Sequence, residues 1–183
     1  MTYIMIAPNG ARRTKVDHIH IPVTDSELIS ESKRCFDLGV QGVHAHIRTD
    51  NQTHLLDRTR YEILLKRFQQ ELPEIDIQVT SEAAEIYESE AQISFLDQLS
   101  APWISLAIRE IIRHQSIDTL KPFFANLLAK SRVQFIIYDS EDFQMLLDLT
   151  RNQVLVTDKI EVLYVLGRYS ENQESYPTDL DSF

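Results

Sequence analysis

Segments with a two-residue hydrophobic period alternate with segments of helical period along nearly the whole chain, and no hairpin signal joins two strand-like segments directly. Residues 3–7 read as a strand closed by Pro8-Asn9-Gly10. A helix is expected from Thr24 or Asp25 to about Leu38, with Leu28, Ile29, Cys35 and Phe36 on one side and Gly39 at its stop. Residues 42–48 alternate as a strand, 58–72 form an amphipathic helix ended by Pro73, and 75–80 alternate again. A helix over 85–99, a strand over 103–108, a helix over 118–131, a strand over 135–138, a helix over 141–151 and a strand over 162–166 complete the series. Six strands with five intervening helices imply right-handed strand–helix–strand crossovers and a parallel sheet.

Two architectures accept that order: an open doubly wound sheet, or part of an eight-stranded barrel. A dinucleotide fold places Gly-x-Gly-x-x-Gly after its first strand, and this chain has Pro8-Asn-Gly-Ala-Arg-Arg13 there. A doubly wound sheet is covered by helices on both faces, so its strands read as continuous apolar runs. Here each strand keeps a polar face. Val43, Ala45 and Ile47 oppose His44, His46 and Arg48, and Ile75, Ile77 and Val79 oppose Asp76, Gln78 and Thr80. Ile104, Leu106 and Ile108 likewise oppose Trp103, Ser105, Ala107 and Arg109. The expected fold is therefore α/β, of the (β/α)8 TIM-barrel type, present as about six strand–helix units in an incomplete barrel. Without a low-complexity linker, residues 1–183 read as one domain.

Charge narrows the partners. With 18 Lys and Arg against 28 Asp and Glu the formal net charge is −10, which argues against nucleic acid as a partner. No apolar run approaches the ~20 residues a membrane span needs. Met1-Thr-Tyr-Ile-Met-Ile lacks the basic start of a signal peptide, and a single cysteine, Cys35, argues against a disulfide framework. A cytoplasmic protein is expected.

His44-x-His46 is the sharpest local signal, because residues two apart on a strand project to one face. Two imidazoles so placed either share a divalent metal or hydrogen-bond within a polar core, and the pattern leaves both open. His18 and His20 repeat the spacing in a loop and read as surface residues. Asn9, Arg12, Arg13 and Lys15 follow the first strand, where the cations could collect an anionic substrate or pair with Asp17. Thr80 and Ser105 are inward hydroxyls able to donate to a carboxylate or enolate, or to satisfy the interior. By strand parity Arg109 faces inward, while Cys35 lies on an apolar helix side and reads as an inert thiol.

Taken together, Ala7-Pro-Asn-Gly-Ala-Arg-Arg-Thr-Lys15, Ile21-Pro-Val-Thr24, Cys35-Phe36, Val43-His-Ala-His-Ile-Arg48, Ile77-Gln-Val-Thr80 and Val165-Leu-Gly167 resemble, in order and spacing, the β-keto acid cleavage enzymes. The resemblance runs over residues 3–169. It implies a TIM barrel binding a divalent metal, usually Zn2+, and an acyl transfer in which a β-keto acid and an acyl-CoA give acetoacetate and a new acyl-CoA. His44 and His46 match the metal-binding histidines. Thr80 matches a Ser or Thr that holds the keto acid, and Ser105 matches a Thr near the substrate. Arg12 stands where the 3-keto-5-aminohexanoate-cleaving type has a Glu, and an Arg there suits a neutral or anionic substrate. Asn9 and Arg13 are expected on the substrate side and Arg12 and Arg109 on the catalytic side.

The family's third metal ligand is a Glu in a Gly-Phe-Glu-Asn or Gly-Phe-Glu-Asp segment, flanked by an Arg and an acid that work in the reaction. None of that segment occurs before Phe183. The expectation is an enzyme of this type in C-terminally shortened form. The alternative is a non-catalytic barrel remnant that self-associates as a homo-oligomer. An amidohydrolase-type hydrolase also carries His-x-His, but on its first strand, whereas here a whole strand–helix unit comes before it.

Overall fold

The computed structural model describes residues 2–167, 172 and 174–183. The end of the resembling stretch, residues 168–169, lies outside the described residues. In chain order the elements are β1 (Met5–Ile6), α1 (Asp25–Phe36), β2 (Gly42–Ala45), β3 (Ile47–Arg48), β4 (His54–Leu55), α2 (Arg58–Glu71) and β5 (Asp76–Thr80). Then come α3 (Ser89–Gln98), β6 (Trp103–Ala107), α4 (Ile108–Ile111), α5 (Ile117–Lys130), β7 (Arg132–Ile137), α6 (Ser140–Arg151) and β8 (Glu161–Tyr164), with a 3-10 turn at Pro177–Ser182.

Side chains at the helix starts explain the boundaries. The Thr24 hydroxyl accepts from the Glu27 amide at 3.3 Å, while the Glu27 carboxylate accepts from the Thr24 amide at 3.0 Å. Such reciprocal caps contribute about 1 kcal/mol each. At the starts of α2, α5 and α6 the side chains of Asp57, Ser116 and Asp139 accept backbone amides without a return bond. Gly39, at φ +99°, takes the chain out of α1 through a conformation that a side chain resists.

The main sheet has six parallel strands in the order β1-β2-β5-β6-β7-β8. Every crossover steps the same way. A doubly wound sheet reverses direction around its first strand, whereas right-handed crossovers in one direction put all helices on one face. The result is a curled, open wall of the (β/α)8 type. Val43, Ala45, Val79, Ile104, Leu106, Phe135 and Ile137 turn to the helix side and pack with Tyr61, Leu64 and Phe68 of α2, Leu96 of α3 and Phe124 of α5. Burying each large apolar side chain contributes roughly 1.5–3 kcal/mol, so this layer dominates the fold's stability.

Three expected elements change. The strand over 42–48 divides: the chain leaves the sheet after Ala45, and β3 pairs antiparallel with β4. That hairpin has no Gly or Pro in its turn and closes through Thr49 and Thr53, with Gln52 at φ +63°. The helix over 85–99 begins only at Ser89, because Ala84 and Glu85 adopt positive φ in a preceding turn. The strand over 103–108 ends at Ala107 and continues as helical α4, so strand parity stops before Arg109 and the inward placement expected for it is corrected.

Candidate active site at the C-terminal rim of the sheet

β2 presents His44 on the inner face, in register with Gln78 of β5. Just past its end, Asn9 grips the His46 backbone from the loop after β1. Asn9 Nδ2 donates to the His46 carbonyl at 2.7 Å, and the His46 amide donates to Asn9 Oδ1 at 3.3 Å. The two imidazoles face each other, with Nε2 of His44 3.1 Å from Nε2 of His46. Two nitrogens each about 2.05 Å from one zinc ion at that spacing subtend about 100°, close to a tetrahedral angle. His44 Nδ1 lies 2.8 Å from Gln78 Oε1 and 3.5 Å from the Ser105 hydroxyl.

A third histidine joins the row. His46 Nδ1 is 3.4 Å from Nδ1 of His54, whose Nε2 lies 2.8 Å from the Glu82 carbonyl. His46 and His54 are buried, at 3% and 2% exposure. Burial is the leading cause that pushes all three imidazoles below the ordinary histidine range, with mutual repulsion adding to it at His46. Neutral imidazole is the form that binds a metal.

Glu82 connects this row to the loop after β1. Its Oε1 accepts from Arg12 Nη1 at 2.7 Å, while its Oε2 stands 3.9 Å from His46 Nε2. Burial opposes the Arg12 charge, but Glu82 and then Glu85 outweigh it and hold the guanidinium above its ordinary value. Arg12 is half-exposed and therefore able to meet a ligand. Thr80 accepts from the Glu82 amide at 3.1 Å, and its hydroxyl proton remains available to a further acceptor.

Arg48 shapes the loop. Its buried guanidinium binds the carbonyls of Ala11 at 2.6 Å, Gln52 at 2.8 Å, Asn9 at 3.0 Å, Arg13 at 3.1 Å and Gly10. Arg13 is exposed and gives this cluster its carbonyl. Arg109 belongs elsewhere on the rim: Nε donates to Asp142 at 2.6 Å, Nη2 pairs with Asp139, and the guanidinium lies 5.2 Å from the Tyr138 ring centre. Tyr138 also acts electrostatically on Arg12. Cys35 is half-buried, its thiol pushed up by burial and by Glu31. That is the state of an unreactive cysteine.

The structure thus gathers His44, His46, Asn9, Ser105, Thr80 and Arg12, and sets Arg109 in its own acidic pair. The sequence reading missed Gln78 as a partner of His44, Arg48 as the loop anchor, Glu82 and His54. Glu82 carried a usable signal, a carboxylate two residues past an inward Thr80 at a strand end. His54 carried none, since only the unforeseen hairpin brings it to His46. His44 and His46 fit a metal as two ligands. Among the described residues no group of three or more His, Cys, Asp or Glu side chains forms a cage for one.

An open parallel barrel wall, with imidazoles, hydroxyls and an arginine at the C-terminal ends of its strands, defines a TIM-barrel-type protein with its polar site where that fold places chemistry. The chain belongs to the beta-keto acid cleavage enzyme family, whose model matches residues 1–183. It is similar to the 3-keto-5-aminohexanoate cleavage enzyme of Acetoanaerobium sticklandii, with 28% identity over 75 residues, 41% of this chain. It is also similar to the 3-oxoadipate:acetyl-CoA acetyltransferase of Cupriavidus necator, with 30% identity over 78 residues, 43% of this chain. In both cases the matched stretch spans 28% of the relative's own length. A solved ternary complex of ObcA with a C4-CoA adduct and oxalate shares the fold, at TM-score 0.59 and 13% identity over 81% of this chain and 38% of that one.

Proposed function

We propose that this chain acts in β-keto acid cleavage, in which a β-keto acid and acetyl-CoA exchange acyl groups to give acetoacetate and a new acyl-CoA. The observation that carries the reading is the His44–His46 pair, 3.1 Å apart at Nε2 on the polar face of the barrel wall. In this reading His44 and His46 hold a divalent ion, Zn2+ by resemblance, which supplies Lewis-acid polarisation of a carbonyl when bound. The remaining work falls to the chain's own groups. Arg12 attracts the keto acid carboxylate, and the Ser105 and Thr80 hydroxyls donate to its oxygens. Asn9 keeps His46 at the end of β2. Arg13 and Lys15 gather the phosphates of the CoA cosubstrate beside a cleft of about 500 Å³ that Lys15, Arg60 and Arg67 border. Arg109, tied to Asp139 and Asp142, supports the adjoining rim.

The test is acetoacetate release by the purified chain from 3-oxoadipate or 3-keto-5-aminohexanoate with acetyl-CoA and Zn2+. Activity lost on His44→Ala and His46→Ala is the expected result. Absence of acetoacetate with metal bound at the pair would overturn it.

One observation favours a second reading. The sheet is open among the described residues, with the outer edges of β1 and β8 unpaired and only two metal-ligating histidines facing each other. Exposed strand edges and an uncovered barrel interior favour pairing with another copy of the chain, as in a non-catalytic, self-associating homo-oligomer. Zinc stoichiometry and acetoacetate release separate the two readings.

A further inference from the structure

The row of histidines has one proton too few for its gaps. His44 Nδ1 faces the Gln78 side-chain carbonyl at 2.8 Å, and His54 Nε2 faces the Glu82 backbone carbonyl at 2.8 Å. Carbonyl oxygens only accept, so both nitrogens carry protons. His44 Nε2 and His54 Nδ1 are then lone pairs in the neutral rings. His46 lies between them with a single N–H, and two gaps remain: 3.1 Å to His44 Nε2 and 3.4 Å to His54 Nδ1. Whichever gap the proton fills, the other sets two lone pairs face to face. A buried site with facing lone pairs is satisfied by a cation placed between them.

We propose that His54 is a positioning residue for the metal pair: it accepts the Nδ1–H of His46 and thereby holds the His46 Nε2 lone pair toward His44. This rests on the reading of His44 and His46 as metal ligands. The outer partners then form a complete relay, His44 Nδ1–H to Gln78, His46 Nδ1–H to His54, and His54 Nε2–H to the Glu82 carbonyl. Each ligand's second nitrogen is fixed, as a metal-binding imidazole requires. On metal binding the His46 proton resides at Nδ1, and the wider 3.4 Å gap to His54 is where it goes. The hairpin of β3 and β4 acquires a purpose in this arrangement, since it carries His54 to the back of His46.

The experiment uses the full chain with 15N-labelled histidine and zinc in competition with a chromophoric chelator, for the parent, His54→Leu and His54→Asn. The Asn side-chain oxygen stands about where the His54 Nδ1 stands, so it restores the acceptor that Leu removes. Loss of such an outer partner typically costs 10–100-fold in metal affinity. The expected outcome is that loss for His54→Leu, recovery to within a few-fold for His54→Asn, and zinc-bound His46 protonated at Nδ1 in the nitrogen spectrum. Unchanged zinc affinity in His54→Leu overturns the role of His54 and leaves the metal pair standing. A parent chain that takes up no zinc overturns the pair itself and the inference with it. Should His54→Leu not fold, the parent's nitrogen spectrum decides: zinc-bound His46 carrying its proton at Nε2 overturns the proposal.

Discussion

Arg48 ties the loop after β1 to the rest of the rim, and its removal has a calculable cost. Nη1 serves the Ala11 and Gln52 carbonyls at 2.6 and 2.8 Å, and Nη2 serves Asn9 at 3.0 Å, Arg13 at 3.1 Å and Gly10. A hydrogen bond to a charged group contributes about 1.5–3 kcal/mol net, but bonds that share two nitrogens are not independent. Two independent contributions give about 3–6 kcal/mol. Nε has no partner among the described residues, and its desolvation offsets about 1 kcal/mol. Arg48→Met should therefore cost about 2–5 kcal/mol, a large share of the ~5–15 kcal/mol that stabilises a domain. Arg48→Lys, one nitrogen in place of two, should fall between. Urea unfolding supplies the energies, and hydrogen exchange at the amides of residues 9–13 reports the loop. A loss under about 1 kcal/mol with unchanged loop protection would show that the carbonyls find other donors and that Arg48 does not hold the loop.

Other substitutions and conditions follow from the same contacts. Asp142 is fully buried and accepts from Arg109 Nε at 2.6 Å and the Tyr138 amide at 2.8 Å, so Asp142→Ala should cost about 3 kcal/mol in thermal unfolding. A near-neutral result would refute a structural ion pair there. Because burial holds His44, His46 and His54 below their unfolded values, the unfolded chain binds more protons as pH falls through about 6.5. Metal-free protein should thus be fully stabilised above that pH and lose stability progressively below it, and a flat melting profile from pH 7.5 to 5.5 would contradict the burial argument. Arg12→Glu sets a third carboxylate beside Glu82 and Glu85, yet the half-exposed position limits the cost to about 1 kcal/mol, or a melting shift of about 2–4 °C. Its main effect should be weaker handling of anionic keto acids, and a shift beyond about 8 °C would reassign Arg12 to structure. The edges of β1 and β8, open among the described residues, predict concentration-dependent sedimentation, and a strict monomer would remove the self-associating reading.

The alternation of periods determined the architecture, because each amphipathic segment can bury its apolar side in only one way. Val43, Ala45 and Val79 went to the helix side as their parity required, and the polar partners His44, Gln78 and Ser105 went inward. The pairing of His44 with His46 was legible for the same reason, and Arg12 on the same rim followed from the rule that loops after neighbouring strands adjoin. Parity failed where the backbone stopped being a strand: Arg109 sits on a helical turn, and its geometry was decided by Asp139 and Asp142, some thirty residues further along the chain. Glu82, Arg48 and His54 acquired their roles from contacts that no local period encodes, with Arg12 across 70 residues, with the Asn9 carbonyl across 39 and with the Glu82 carbonyl across 28. Tertiary structure alone could place them, since a buried charge or imidazole goes where distant carbonyls and carboxylates can satisfy it.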